Sequence, residues 1–389
     1  MSVHLTPAEV TRTLRDEATA LGFNRVGVIA AGPARHLDAY LRWIAAEQHG
    51  EMGYMARPDR VERRRDPGVI LPGVQSVVVV GLDYHTAVLP LALAADPARG
   101  RFSNYAWGID YHEVMTPRLE ALAEWLRRAL APAEVSSRVY VDTGAILERD
   151  HGKTAGLGFT GKNTLLIDPR RGSYFFLGVL LTTAALAYDQ TETSETMPTC
   201  GRCNRCLNAC PTAAFPQPYV LDARRCISYM TIELKGWIPA DLRPLMGNWV
   251  YGCDVCQVVC PFNRFARPTG ETGFYPVDWA TAAPPLLELL ALDEVSFARR
   301  YTGNPVRRIG RARLVRNACV AAGNWGSRAA VPALVALLAD ADPLLRGHAA
   351  WALGRVGGEN AHAVLTAALT DETNDTVRQE IKESTDFTD

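Results

Sequence analysis

The chain has 389 residues, a length that usually corresponds to two or three domains. Its composition, with 48% hydrophobic and 21% charged residues, is that of a folded globular protein and excludes an intrinsically disordered one. The formal net charge of -1 excludes a generic binder of polyanions, although it allows local charged patches.

The sequence carries no recognisable targeting or membrane segment. Its first residues, MSVHLTPAEVTRTL, lack the apolar core of a signal peptide, and the longest apolar run, YFFLGVLLTTAALA, is too short to span a bilayer. We therefore expect a cytoplasmic protein that does not associate with membranes. In that compartment the nine cysteines are better explained as metal ligands than as disulfide partners.

Residues 1–190 alternate between helical and strand-like patterns. Thr6 and Glu9 form a capping-box pattern that predicts the start of a helix. Five apolar runs rich in β-branched and aromatic residues predict strands: NRVGVIA, QSVVVVGLDY, SRVYVDTG, NTLLID and SYFFLGVLLTTA. The segment EVMTPRLEALAEWLRRAL has helical spacing. We predict an α/β (α+β) domain over 1–190, followed by a polar linker at about 189–198.

Two cysteine runs follow this domain. The first, C-x2-C-x2-C-x3-C-P, comprises Cys200, Cys203, Cys206 and Cys210, and its spacing is that of bacterial two-cluster ferredoxins. In that arrangement three thiolates bind one cluster and the fourth ligates the other cluster. The second run, C-x2-C-x3-C-P, comprises Cys253, Cys256 and Cys260, and an unpaired Cys226 lies upstream of it. One [4Fe–4S] cluster is then expected on Cys200, Cys203, Cys206 and Cys260, and the other on Cys210, Cys226, Cys253 and Cys256.

A structural zinc site is the alternative interpretation of these cysteines. Such a site normally uses two separated C-x2-C pairs, and three cysteines in one loop with two Cys-Pro endings fit iron–sulfur clusters better. We therefore predict a ferredoxin-like module over 191–275. The ninth cysteine, Cys319, lies on an apolar helical face and is expected to be a buried packing residue.

The last part of the chain is helical and repetitive. VRNACVAAGN at 315–324 resembles LRGHAAWALG at 345–354, and Arg316, Arg346 and Arg378 lie 30 and 32 residues apart. Paired helices at this period are typical of HEAT repeats, and an irregular helical bundle is the alternative. We predict a HEAT-like domain over 276–389.

An arginine-rich segment opens this helical part. Residues 295–316 contain seven arginines and no acidic residue. Such a cluster, with Tyr301 nearby, is suited to contacting phosphates and stacking on a base, whereas a solvated basic face is the alternative. The candidate contacts are Arg307, Arg308, Arg311 and Arg313.

Nearly the whole chain resembles the epoxyqueuosine reductase family. The similarity is carried by VDTGAILERDHGKTAGLGFTGKNTLLI at 141–167, GSYFFLGVLL, RCISYMTIELKG, YGCDVCQVVCP and the HEAT-like end, all in the same order. The resemblance implies a cobalamin-binding catalytic domain fed with electrons by two [4Fe–4S] clusters, as in reductive dehalogenases. It also implies reduction of epoxyqueuosine to queuosine in the anticodon loop of tRNA.

The family motifs also imply site residues. The family's proton donor corresponds to Asp142 in VDTG, and the corrinoid contacts correspond to Arg64, Ser103, Asp142, Arg149, Lys162 and Asn163. Without the resemblance, Asp142 would be read as an Asx turn that closes a strand.

The expected enzyme is thus a cobalamin-dependent oxidoreductase, working as a monomer with an unidentified low-potential electron donor. Two alternatives remain open at this stage: a corrinoid and iron–sulfur reductase of a small epoxide or halogenated substrate, and a ferredoxin-like electron-transfer adaptor. The first would not need the arginine-rich segment or the HEAT-like end, and the second would not bind a corrinoid.

Overall fold

The computed structural model describes residues 5–189 and 199–385. Apart from Asp189, the predicted linker lies outside the described residues. The first helix begins as predicted, because the Thr6 side chain accepts a hydrogen bond from the Glu9 amide while the Glu9 carboxylate accepts one from the Thr6 amide.

Residues 5–189 form a layered α+β region with seven helices and seven strands. In chain order they are α1 Pro7–Ala20, β1 Arg25–Ala30, α2 Leu37–Ala45, α3 Gly53–Ala56, α4 Pro58–Arg65, β2 Ser76–Asp83, α5 Leu91–Ala94, β3 Arg101–Phe102, α6 Tyr111–Ala129, β4 Ser137–Tyr140, α7 Glu148–Thr154, β5 Phe159–Thr160, β6 Leu166–Ile167 and β7 Phe175–Thr182. All five predicted strands are present.

A four-stranded sheet with the order β1-β2-β7-β4 lies at the centre of this region, and every pairing in it is antiparallel. Strand β2 is buried on both faces, as expected for a central strand. Val78 and Val80 face a core shared with α1 and α6, whereas Val77 and Val79 face a second core that includes residues beside α7. The alternation of side chains along β2 therefore organises both layers.

The cysteine-rich region has little regular structure. It contains α8 Arg205–Ala209, α9 Ile227–Ile232, β8 Trp249–Tyr251 and α10 Val255–Val258, with a 3₁₀ helix at Pro261–Phe265. Strand β8 pairs in parallel with β3, so this region is joined to the first one by backbone hydrogen bonds.

Eight further helices complete the chain: α11 Trp279–Ala282, α12 Leu286–Leu290, α13 Glu294–Arg300, α14 Gly310–Trp325, α15 Val331–Leu337, α16 Pro343–Val356, α17 Glu359–Asp371 and α18 Asp375–Thr385. Helices α14, α16 and α18 pack side by side, and α15 and α17 pack on the next helix of the series. This is the predicted arrangement of paired helices.

Each of the regularly spaced arginines donates to backbone carbonyl groups of a preceding segment, as Arg346 does to those of Asp340 and Ala341. Arg316 is fully buried and donates to the carbonyl groups of Met230, Leu234 and Gly236. Arg346 bonds the Glu372 carboxylate at 2.7 Å, and Arg378 donates to two carbonyl groups of the preceding helix and loop. The repeat of arginine is thus a structural repeat.

The cysteine-rich and helical regions share one hydrophobic core. That core also includes Phe102, Ala106 and Trp107 from the first region and the buried, as predicted, Cys319. None of the helices in residues 5–189 and 199–385 has the length and apolar character needed to cross a bilayer.

Candidate active site and cluster sites

Asp142 lies in a tight turn just after β4. Its φ is 61°, and the amide of Thr143 donates to the carbonyl of Val141 at 2.7 Å. A γ-turn with positive φ is rare and strained for a residue other than glycine. Arg60 of α4 steadies the turn by donating to the Thr143 carbonyl at 3.1 Å. Strain held in this way commonly marks a functional residue.

The Asp142 carboxylate meets the N-terminus of α6. Its Oδ2 accepts a hydrogen bond of 2.8 Å from the Tyr111 hydroxyl, and the Tyr111 ring stacks on Phe176 with centroids 4.1 Å apart. Among the described residues the carboxylate has no bond to the following amides, so it does not form an Asx turn. Its other oxygen, Oδ1, is left without a protein donor in the described part of the chain.

The N-terminus of α6 is fixed by a contact from the helical region. Asp110 caps the helix by accepting from the His112 amide, and Arg308 donates to the same carboxylate at 2.9 Å. Burial opposes ionisation of Asp110, but the bonds from His112 and the charge of Arg308 outweigh it and lower its pKa. The position of Tyr111 therefore depends on residues from two parts of the chain.

Several ionisable groups surround Asp142, and we call this place the Asp142 cleft. They come from distant segments: Tyr54, Tyr105, Tyr111, Glu148, Arg149 and Glu233. Arg149 is solvent-accessible, yet desolvation by the protein around it lowers its pKa. Burial raises the pKa of Tyr54 to about 12, with the Glu233 and Asp142 charges adding to it. Both groups are thus exposed to solvent yet partly desolvated by the protein around them.

Glu148 is the group in the cleft whose shifted pKa lies nearest to neutral pH. Desolvation raises its pKa to about 8, the charge of Asp142 adds to this, and within the described residues its buried Oε1 has no hydrogen-bond partner. A carboxyl group with this pKa is largely protonated at pH 7. Since the Asp142 charge contributes to the shift, the two carboxyl groups lie near each other.

We expect infrared spectra to show this protonated carboxyl group. Wild-type protein should have a carboxylic-acid C=O band that disappears as pH rises through about 8, and Glu148→Gln should remove that band. Glu62→Gln, at an exposed position on α4, provides the control. The assignment is wrong if the band is unchanged in Glu148→Gln.

The candidate corrinoid contacts fall into two groups. Arg64 is buried, with its guanidinium carbon 5.0 Å from the centre of the Tyr40 ring, and its Nε has no hydrogen-bond partner in residues 5–189 and 199–385. Arg149 donates to the Thr164 carbonyl at 2.8 Å. The charges of both arginines lower the pKa of Glu148, so both lie close to the Asp142 cleft. Their part in cofactor binding stays a prediction.

The other group lies against the cysteine runs. Ser103 is buried and its hydroxyl donates to Asp254, beside Cys253. The Lys162 ammonium donates to the Gly201 carbonyl at 2.9 Å, and the Asn163 amide donates to the Cys256 carbonyl at 3.4 Å. These three side chains therefore hold the cysteine loops instead of pointing together at Asp142.

Four cysteines line one cavity beside α8. They are Cys200, Cys203, Cys206 and Cys260, together with Asn163, Arg205 and Phe262 among other neighbours. This is the set predicted for the first cluster. The backbone amide of Lys162 donates to Cys200 Sγ at 3.4 Å, a contact of the kind that tunes cluster potentials.

The four cysteines predicted for the second cluster lie near one another: Cys210, Cys226, Cys253 and Cys256. Burial raises the pKa of the Cys253 thiol, and charges on Cys226 and Cys210 raise it further. Burial raises the pKa of the Cys256 thiol, and charges on Cys253 and Cys226 raise it further. A charge on Cys206, which belongs to the first set, does so too, so the two sets lie next to each other. Within residues 5–189 and 199–385, no three His, Cys, Asp or Glu side chains lie close enough to hold a single metal ion.

Most of the arginine-rich segment is engaged in protein contacts. Arg311 has a side chain 15% exposed, and it pairs with Asp340 at 2.7 Å and with the Leu292 carbonyl. Arg313 donates to the Ile232 carbonyl at 2.6 Å. The prediction that both contact tRNA therefore needs correction, because these guanidinium groups already have protein partners.

Tyr301 also differs from expectation. It is 3% exposed and packs against Phe297 and Phe102, so it cannot stack on a base in this conformation. Arg307 and Arg308 remain accessible, although Arg308 is held by Asp110. The exposed part of the patch is therefore smaller than the sequence suggests.

Three family models match the chain. "4Fe-4S double cluster binding domain" matches residues 199–263, "Epoxyqueuosine reductase QueG, DUF1730" matches residues 64–143, and "HEAT repeats" matches residues 311–385. A curated epoxyqueuosine reductase from Pseudomonas aeruginosa is 44% identical over 355 residues, which cover 90% of this chain and 96% of the relative. The chain belongs to the epoxyqueuosine reductase family.

Solved structures of epoxyqueuosine reductases have the same architecture. One, with an epoxyqueuosine-modified tRNA-Tyr stem loop, has a TM-score of 0.89 and 30% identity, covering 98% of this chain and 100% of the other. Another, from Bacillus subtilis, has its aspartate-bearing catalytic loop swung out of the active site. Its TM-score is 0.88 at 30% identity, and the match covers 99% of this chain and 100% of the other.

Sequence reasoning missed several residues of the Asp142 cleft. Tyr111, Glu148 and Glu233 gave no motif of their own, and each reaches the cleft from a different segment. Only the fold brings them together. One local signal was available for Tyr111, because Asp110 has the residue type and position of a helix N-cap.

Proposed function

We propose that this chain reduces epoxyqueuosine in the anticodon loop of tRNA to queuosine, using cobalamin and electrons delivered through two [4Fe–4S] clusters. The observation that carries the proposal is the whole-length likeness to epoxyqueuosine reductases, one of them solved with an epoxyqueuosine-modified tRNA stem loop. The small-substrate alternative is less favoured, because that likeness extends through the HEAT repeats.

The Asp142 cleft has features that suit cobalamin. It is reached by solvent but partly desolvated by protein, and it contains two buried polar atoms, Arg64 Nε and Glu148 Oε1, without partners in the part of the chain that the structure describes. The amide side chains around a corrin ring can accept a hydrogen bond from Arg64 Nε and form one with Glu148 Oε1. Arg149, together with Arg64 and Glu148, would hold the cobalamin. Bound there, cobalamin would supply a low-potential cobalt centre for the reduction.

Asp142 is the proposed proton donor. Removing the epoxide oxygen as water breaks two carbon–oxygen bonds, forms the ring double bond and consumes two electrons and two protons. A departing oxygen leaves more readily when it is protonated. Oδ2 is held by Tyr111, and Oδ1 is the oxygen available to carry the proton. The strained turn keeps the carboxyl group at the cleft without a flexible loop between it and β4.

The two clusters would give electrons a directed path. Gly252, next to Cys253, packs so closely on Ser103 and Tyr105 that a Cβ at this position would lie 2.6 Å from Ser103 Cβ and 3.4 Å from the Tyr105 ring. The Tyr105 ring centre is in turn 6.3 Å from that of Tyr111. The cluster bound by Cys210, Cys226, Cys253 and Cys256 would therefore lie nearer the cleft. The cluster bound by Cys200, Cys203, Cys206 and Cys260 would lie further out and receive electrons first.

These roles map onto three proposed domains. Residues 1–190 hold the catalytic cleft, 191–275 hold the clusters, and 276–389 form the HEAT-like domain that contacts tRNA. The shared hydrophobic core supports a fixed arrangement of the last two, since residues from both pack into it.

Arg307→Glu should weaken binding of a tRNA anticodon stem-loop and lower the salt dependence by about one unit of log–log slope, as expected for one phosphate contact. Binding measured by fluorescence anisotropy across a salt series tests this. Arg311→Glu should instead lower thermal stability, because it places two carboxylates together at Asp340. Equal RNA affinity for wild type and Arg307→Glu would remove this residue from the interface.

Turnover provides the test of the proposed function. Anaerobically reconstituted protein with cobalamin, an epoxyqueuosine-containing stem-loop RNA and a chemical reductant should yield RNA lighter by one oxygen atom. Mass spectrometry of the digested RNA detects the change. If fully loaded protein converts a small halogenated compound or epoxide but not the RNA, the proposal fails in favour of a small-molecule reductase. Protein with about eight irons per chain and no affinity for cobalamin would indicate the electron-transfer adaptor.

A further inference from the structure

The rim of the outer cluster is strongly basic. Three segments surround the cavity of Cys200, Cys203, Cys206 and Cys260, namely residues 162–171, 199–210 and 255–270. The Lys162 ammonium bonds the Gly201 carbonyl at 2.9 Å, and the Asn163 amide bonds the Cys256 carbonyl at 3.4 Å, so the segments meet there. Arg205 lines the cavity itself, and the five arginines of these segments that lack a carboxylate partner among the described residues are all exposed. With Lys162 they form what we call the cationic rim: Lys162, Arg170, Arg202, Arg205, Arg264 and Arg267.

This charge is not neutralised by neighbouring acids in the described structure. Asp168 is the single carboxylate in the three segments, and it pairs with Arg25 at 2.9 Å. Among residues 5–189 and 199–385, no carboxylate forms an ion pair with Arg202, Arg205, Arg264 or Arg267. In a chain with a net charge of -1, the cationic rim is a local concentration of unpaired positive charge.

Apolar side chains are exposed beside the same cavity. Val258, two residues before Cys260, is 63% exposed, and Phe265 is 42% exposed. Tyr219 is 50% exposed, and its amide bonds the carbonyl of Lys162, whose own amide donates to Cys200 Sγ. A few exposed apolar residues among charged ones are typical of a transient protein interface.

We infer that the cationic rim with Val258, Phe265 and Tyr219 is the docking surface for a small acidic electron-carrier protein, which reduces the outer cluster. Each docking event would transfer one electron, so that the carrier is oxidised and the cluster reduced by one. Two such events supply the two electrons of each turnover. The inference rests on the proposed function only in that the clusters feed the active site.

The position of the cationic rim favours this partner over RNA. Both partners are acidic, but Arg308, an accessible arginine of the helical part, bonds Asp110 beside the Asp142 cleft, where the anticodon loop must enter. The cationic rim instead surrounds the cluster further from that cleft. Electron carriers bring a redox centre close to a cluster, and an apolar contact among charges allows rapid release.

The test uses the reconstituted holoenzyme and a purified, reduced acidic ferredoxin as the probe. The double variant Arg264→Glu/Arg267→Glu leaves the cysteine loops intact. Stopped-flow bleaching of cluster absorbance at low salt should show its second-order reduction rate about 10- to 100-fold below that of wild type. The wild-type rate should fall as salt is added, and the variant rate should change less. Reduction by dithionite, which needs no docking, should be equal in both.

A matched control carries the same change of charge elsewhere. Arg12→Glu/Arg128→Glu lies on exposed positions of α1 and α6, and we expect it to react with ferredoxin at a rate close to that of wild type. The inference is overturned if both double variants slow equally, or if Arg264→Glu/Arg267→Glu reacts normally. It is also overturned if that variant loses only affinity for the stem-loop RNA, since the surface would then bind RNA. Failure of RNA turnover with dithionite in wild type would count against the proposed function alone.

Discussion

Asp142→Asn is expected to reduce turnover of epoxyqueuosine-containing RNA by about 10²- to 10⁴-fold, the usual contribution of a positioned general acid. An asparagine has nearly the same shape and can still accept from Tyr111, so the γ-turn and the cleft should persist. What it cannot do is release a proton to the epoxide oxygen. Cobalamin content, iron content and affinity for the stem-loop should therefore match those of wild type, while single-turnover rates fall.

Two further variants make this result specific. Tyr111→Phe removes the hydrogen bond to Oδ2 but retains the stacking on Phe176, and we expect a smaller loss of rate than for Asp142→Asn. Asp38→Asn changes an exposed carboxylate that pairs with Arg42 on α2, and it should have full activity. Full activity in Asp142→Asn would show that another group protonates the oxygen, and the protonated Glu148 would then be the next candidate.

The difference between what the sequence predicted and what it missed follows from the range of the interactions. The strands of the central sheet and the start of α1 depend on neighbouring residues, so local patterns were sufficient to predict them. Strand order was not readable, because any of the apolar runs could pair with any other. The antiparallel arrangement appears only when the strands are placed in space.

The arginine-rich segment shows the opposite case. From the sequence, seven arginines without an acid favoured a nucleic-acid surface. In the fold, Arg316 is buried among carbonyl groups, and burial lowers its pKa to about 9. Arg311 pairs with Asp340, which lies 29 residues further along the chain. Carbonyl groups have no signature in a sequence, so arginines that bind them are easily mistaken for arginines that bind phosphates.

The ligand spacing of a cluster also supports a prediction over long range, because cysteines close in sequence must be completed by one from another segment. Cys200, Cys203, Cys206 and Cys260, the residues predicted for the first set, line one cavity. Iron content provides a direct test of this crossed pairing. In the uncrossed alternative, Cys210 would join Cys200, Cys203 and Cys206, and Cys260 would join the other set.

Pairs of cysteine replacements should distinguish the two arrangements by iron content. Wild type should hold about eight irons in its two clusters. If the pairing is crossed, Cys200→Ala/Cys260→Ala should lose one cluster and retain about four irons, because both ligands serve the same site. Cys200→Ala/Cys210→Ala should lose both clusters. The uncrossed pairing predicts the reverse for these two variants.

Iron and sulfide analysis with electron paramagnetic resonance of the reduced proteins measures both numbers. Cys319→Ala is the control, since this buried thiol of α14 is outside both sets and its loss should leave all the iron in place. The retained cluster in Cys200→Ala/Cys260→Ala should be the inner one, beside Asp254 and Ser103. That variant should therefore react poorly with a protein electron carrier, because the cluster that receives electrons is missing. A pairing scheme and an electron path would then be tested by the same protein.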